Sequence, residues 1–136
     1  MTYALSPSLQ TAVFQALLAD ADLALLVGTN IFDSAPTGQV PELYVSLGSE
    51  DVRDASDGTG TGARHDFTIS VVTTQSGFLT AKEVAGAICD ALIVAPLTLA
   101  RGRLVALNFL QARARRVQSG GARRIDLRFR ARVEDN

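Results

Sequence analysis

A single cysteine and a single histidine in 136 residues leave little material for covalent or metal chemistry. Cys89 has no partner in its own chain, so no internal disulfide can form and the sequence suits a reducing compartment. Zinc needs about four Cys, His or acidic ligands at recognisable spacing, and His65-Asp66 alone does not supply them. A Cys89 nucleophile served by His65 would lack a third group to orient the base, and Cys89 falls on the apolar face of a helical pattern, where a packed thiol belongs. Long apolar runs are also missing. The richest stretch, Ala85 to Ala100, is interrupted by Asp90 and Pro96 and is shorter than the roughly 20 residues that span a bilayer. No basic segment followed by an apolar run opens the chain, so neither a secretory leader nor a transmembrane helix is expected. The reading is a non-enzyme without cofactor, metal or membrane anchor.

What is present is ordinary globular composition, 47% apolar and 20% charged, at a length that fits one domain with a real core. The charge is unevenly placed. Eleven acidic and three basic residues precede Arg101, whereas ten basic and three acidic residues follow from there on. Such asymmetry speaks about partners, since a field of one sign steers association without determining a fold.

The apolar periodicity predicts an α+β fold, a mainly antiparallel sheet of about four strands packed against two helices and ending in a long C-terminal hairpin. Ser6-Pro7 reads as a helix start, with Ser6 as cap and Leu9, Val13, Phe14, Leu17 and Leu18 as the apolar stripe. Asp20 caps a short apolar helix carrying Leu23, Leu26 and Val27, which Gly28 can end. Tyr44 to Leu47 reads as a strand. Phe67, Ile69 and Val71 alternate with Asp66, Thr68 and Ser70 as a second. Between these two strands Gly48 to Arg64 reads as a flexible acidic and Gly-rich loop. Phe78, Ala81, Ala85, Ile88, Cys89 and Leu92 mark a long helix, with Ser76 and Thr80 as candidate starts; Thr80 carries a capping box with Glu83 and a staple from Leu79 to Val84. Two strands follow, near Arg103 to Gln118 and Ala122 to Glu134, joined by a Ser119-Gly120-Gly121 turn.

In the last strand Ile125, Leu127, Phe129, Ala131 and Val133 share one face, and Asp126, Arg128, Arg130 and Arg132 the other. A tight turn would set Ala114 opposite Leu127 and Arg115 opposite Asp126, but Arg113 opposite Arg128, a like-charge contact that needs relief. Upstream, Val105, Leu107 and Phe109 occupy the parity that turns basic by Arg113, so the strand is either covered on both faces or bulged.

Gly58, Gly60 and Gly62 are no phosphate loop, because no Lys-Ser/Thr and no helix follow and nearby acids repel phosphate. Asp51, Asp54 and Asp57 lack the spacing and terminal Glu of a calcium loop. The arginine face could hold nucleic-acid phosphates, yet no aromatics interleave with it for base stacking, apart from Phe109 near the end of the patch. Charge placement favours a protein interface instead, between Glu50, Asp51, Asp54 and Asp57 of one copy and Arg113, Arg115, Arg128, Arg130 and Arg132 of the next. Such a head-to-tail contact closes into a ring or runs on as a filament.

The element order resembles the tail-completion or tail-terminator proteins of long-tailed phages. So do the stretches Tyr3-Ala-Leu-Ser-Pro-Ser-Leu-Gln10, Ala63-Arg-His-Asp-Phe-Thr68, Leu97-Thr-Leu-Ala-Arg-Gly-Arg-Leu104 and Arg124-Ile-Asp-Leu-Arg-Phe-Arg-Ala-Arg132. The likeness covers nearly the whole chain and is nearest the form carried by alphaproteobacterial gene transfer agents. It implies a structural subunit of a phage-like particle, made in the bacterial cytoplasm and forming a ring of six copies at the head-proximal end of the tail. Its partners would be the tail tube protein and a head connector or stopper, with DNA passing the lumen without sequence-specific binding. The alternative is a small nucleic-acid-binding module that uses the C-terminal arginine hairpin.

Overall fold

The computed structural model describes residues 2–34, 38–56, 58, 60–94, 97–117 and 121–135. Among these, three helices and five strands follow the order α1 (Ser6–Ala19), α2 (Ala21–Val27), β1 (Ile31–Phe32), β2 (Leu43–Asp54), β3 (Gly62–Thr73), α3 (Leu79–Ile93), β4 (Arg103–Arg116) and β5 (Arg123–Glu134). The sheet order is β1-β2-β3-β5-β4. All pairs are antiparallel except the two-residue β1, which runs parallel to β2 and makes the α+β sheet mixed. The helices cover one face, and Leu9, Val13, Leu17, Ile88 and Leu92 meet Ile69, Val71, Leu127 and Phe129 in the main core. A second cluster of Leu5, Ala63, Leu99 and Val133 seals one end of the sheet.

Helix boundaries follow side-chain commitments that local sequence does not reveal. Asp20 caps α2 as expected, accepting from the Leu23 amide at 2.9 Å, and Gly28 ends it at a φ of 60°. Ser6 is no cap. It lies inside α1, and its hydroxyl donates to Glu50 at 2.7 Å, across the fold. Neither Ser76 nor Thr80 begins α3, which starts at Leu79 after Phe78. The Phe78 ring lies 5.6 Å beneath the Arg123 guanidinium, which fixes the chain's entry there. Leu79 is exposed, so no staple to the buried Val84 forms.

Much of the expected 48–64 loop is ladder. β2 continues to Asp54 and β3 starts at Gly62, with the Ala55 amide donating to the Gly62 carbonyl at 2.9 Å to close the hairpin. A bulge interrupts this ladder between Leu47 and Glu50. The C-terminal hairpin pairs two residues away from the tight-turn register: Ala112 faces Leu127, Ala114 faces Ile125 and Phe109 faces Phe129. Its turn spans more of the chain, since the Val117 amide bonds the Ala122 carbonyl; Gln118, Ser119 and Gly120 lie outside the described residues. Bulges at Leu104/Ala106 and Phe109/Gln111 decide between the two options for this strand, because each extra residue re-aims the alternation. The feared Arg113–Arg128 opposition does not arise, as Arg113 faces Asp126 and Gln111 faces Arg128.

Candidate assembly surface

The sheet face turned away from the helices is mainly polar and charged, with Val72 and Ala106 as apolar exceptions. Strand alternation and register place Asp51 and Arg53 of β2, Arg64, Asp66, Thr68 and Ser70 of β3, the arginines and Asp126 of β5, and Arg113 and Arg115 of β4 on it. Basic groups outnumber acidic ones, and two of the three acids, Asp66 and Asp126, are already engaged within the subunit. Arg130 grips Asp66 with two bonds of 2.8 and 3.1 Å, holding its carboxyl below the usual range. Burial pushes the Asp126 carboxyl up, but bonds from Ser70 at 2.6 Å and Arg124 at 2.8 Å outweigh it and hold the group low. Arg115 approaches the same carboxylate at 3.6 Å, and Arg132 donates to the Ala55 carbonyl at 3.0 Å. Arg113 and Arg128 make no ion pair or side-chain hydrogen bond among the described residues. They border a groove of about 430 Å³ that also includes Asp51, Thr68 and Gln111.

The candidate acids do not form one patch. Asp51 is exposed on the arginine face, in the same subunit as the arginines. Asp54 is exposed at the end of β2, where Ser56 donates to it at 2.7 Å; Asp57 lies outside the described residues. Glu50 points the other way. It accepts from Tyr3 at 2.5 Å and Ser6 at 2.7 Å, and lies 3.1 Å from Nδ1 of the fully buried His65. Burial raises this carboxyl, yet the three hydrogen bonds prevail and hold it below its ordinary value. Glu50 thus ties the N-terminal segment to the sheet. Sequence reasoning missed Tyr3, Ser6 and His65 as its partners; it set Arg115 opposite Asp126, which the structure brings within 3.6 Å, but did not read Asp66 and Asp126 together as internal counter-charges. The alternation around Asp66 and Asp126 was the available signal for the latter pair.

β4 forms one edge of the sheet and reaches beyond the helices. On it Val105, Phe109 and Leu110 are 42%, 46% and 39% exposed, although Phe109 touches Phe129 edge-on with ring centres 5.9 Å apart. Cys89 packs against the main core, and burial pushes its thiol up, away from the thiolate that a nucleophile requires. No helix among the described residues is by itself long and apolar enough to cross a membrane.

Comparison with known proteins adds the family. The profile for tail completion protein gp17 matches residues 11–134. A solved chain from the virion of a native gene transfer agent particle is 60% identical, with 98% of this chain and 99% of that chain covered at a TM-score of 0.91. A search of curated proteins finds no match. An α+β subunit with an arginine-rich sheet face, matched over nearly its whole length by that family, belongs to the tail completion proteins and is a structural protein of a phage-like tail.

Proposed function

We propose that the protein assembles into a ring of six copies that ends the tail tube and joins it to the head connector, acting without catalytic turnover. The supporting observation is a sheet face whose basic groups exceed their internal counter-charges, leaving Arg113 and Arg128 unpaired among the described residues, on a chain of the tail completion family. Unpaired surface cations at the border of a groove suit recognition of an acidic partner more than internal stabilisation. Head-to-tail contact between this basic surface and Asp51, Asp54 and Asp57 of the next copy has the symmetry a closed ring requires. Tube protein and connector would occupy the two rims, with DNA passing the middle.

Native mass spectrometry of the chain, alone and with tube protein, tests the reading. A six-copy species is expected. The Arg113→Glu/Arg128→Glu variant should remain a folded monomer, because neither side chain gives up an ion pair or hydrogen bond, although the reversals set like charges near Asp126 and Asp66. Wild-type protein that is monomeric in both samples would sink the ring. Retention of that monomer on duplex DNA at about 0.1 M salt, with a steep salt slope, would favour the nucleic-acid module instead.

A further inference from the structure

Both lateral edges of the sheet are open over part of their length. Among the described residues β1 pairs only with Val45 and Ser46, so β2 from Gly48 onward has no described strand on its outer side. Gly48, Ser49, Asp51, Arg53 and Asp54 are exposed there. On the opposite edge β4 has no outer neighbour among the described residues, and it is exposed from Asn108 to Arg116. An open edge presents unpaired amides and carbonyls and is a template for another strand. The β2 edge carries Asp51 and Asp54, while the β4 edge carries Arg113, Arg115 and Arg116. Two copies meeting β4 to β4 would set arginine against arginine, so a symmetric dimer through this edge is disfavoured.

We infer that the subunits of the ring join by strand addition, with β4 of one copy pairing antiparallel to β2 of the next, so that the sheets fuse into one closed barrel. This rests on the ring proposed above and specifies the contact that makes it. Direction agrees: β2, β3, β5 and β4 alternate, and with four strands per copy the next β2 arrives antiparallel to β4 under rotational symmetry. Register agrees as well. Arg113, Asp126, Ser70 and Ser46 lie at one level of the sheet, whereas Asp51 pairs with Asp66, four β3 residues from Ser70. Setting Arg113 against Asp51 of the next copy therefore staggers successive subunits by about four residues over four strands. One residue of stagger per strand is the ratio at which barrel strands tilt about 36°, within the usual range for closure.

In this register Arg115 is diagonal to Asp51, and apolar Ala112 faces Val52. The ladder also ends in the right place. Ala114 meets Glu50, and Arg115 and Arg116, the last residues of β4, come against the β2 bulge between Leu47 and Glu50, just short of Ser46, where β1 occupies the edge. The bulge-free run Gln111 to Arg116 supplies the β4 side of the contact.

Paired cysteines test the contact in a Cys89→Ser background. Asp51→Cys with Arg113→Cys, and separately Val52→Cys with Ala112→Cys, should form intersubunit disulfides on mild oxidation of the assembled protein. The readout is a ladder of covalent species up to six copies on a non-reducing gel, with each single-cysteine control stopping at dimer. Within one copy the two strands are separated by β3 and β5, about 14 Å at the usual strand spacing, too far for a disulfide. The second pair keeps the edge charges and decides the matter if loss of charge in the first prevents assembly. Six-copy rings that give no ladder from either pair would overturn strand addition and leave the ring standing. Wild-type protein that forms no ring with tube protein would overturn both.

Discussion

Glu50 and Asp51 are adjacent acids with opposite duties, and a single residue inserted ahead of them decides which one faces inward. Strict alternation from Leu43, Val45 and Leu47 would turn Glu50 outward and Asp51 inward. The bulge between Leu47 and Glu50 reverses this, so Glu50 faces Phe67 and the helices while Asp51 faces Asp66 and solvent. A side chain at Gly48 would press on the Thr68 carbonyl at 3.2 Å, which suits glycine to the place where the strand bends. Replacing Glu50 with Ala leaves a buried imidazole and two hydroxyls without their acceptor, at about 1–3 kcal/mol of folding stability. Asp51→Ala should stay within about 0.5 kcal/mol, as surface changes do. Urea unfolding of the two variants measures the difference, and equal midpoints would refute the network around Glu50.

The elements divide into those the sequence announces and those it conceals. The apolar periods of α1 and α3 and the alternation of β5 are consequences of burying one face, and local spacing reports them directly. The two faces of β5 emerged as expected: Ile125 to Val133 are buried and Arg124 to Arg132 are not. Register was concealed, because it depends on where β4 bulges and how long its turn is, and neither has a residue signature strong enough to read. The candidate site shared this limit. Its basic half was legible from alternation alone, whereas its acidic half dispersed once β2 was seen to bulge. A further consequence concerns the arginines, which are not equivalent. Arg130→Glu removes the two bonds that hold the Asp66 carboxyl, sets a like charge against it and should lower the melting temperature measurably. Arg128→Glu should leave the melting temperature nearly unchanged. Melts of both variants in low salt check this, and an Arg128 variant as destabilised as the Arg130 variant would contradict the pairing.

At the scale of the whole molecule, Asp66, Asp135, Asp126 and Glu50 are among the carboxyls that titrate below their ordinary range in the folded state. Asp66 is held by Arg130 and Asp135 by Arg101, while burial opposes but does not overcome the bonds to Asp126 and Glu50. Groups depressed by folding bind fewer protons folded than unfolded. Their contribution is therefore complete above the unfolded carboxylate range near about pH 4 and is lost as pH falls through the folded values. The melting temperature should be level near neutrality and drop below about pH 4, with Asp66→Asn flattening that drop. A melting temperature unchanged between pH 7 and 3 would contradict the assignment.

The second apolar cluster has a geometric corollary for anyone attaching something to this protein. Leu5 packs with Val133, Arg101 binds Asp135 at 2.7 Å, and the positive-φ Gly102 leaves so little room that an added methyl would strike both the Glu134 carbonyl and Leu5. The first and last described stretches are thus laced together at one pole. A tag or reporter fused to either one emerges on the same side, so in a rotationally symmetric collar all such fusions crowd a single rim and leave the opposite rim clear.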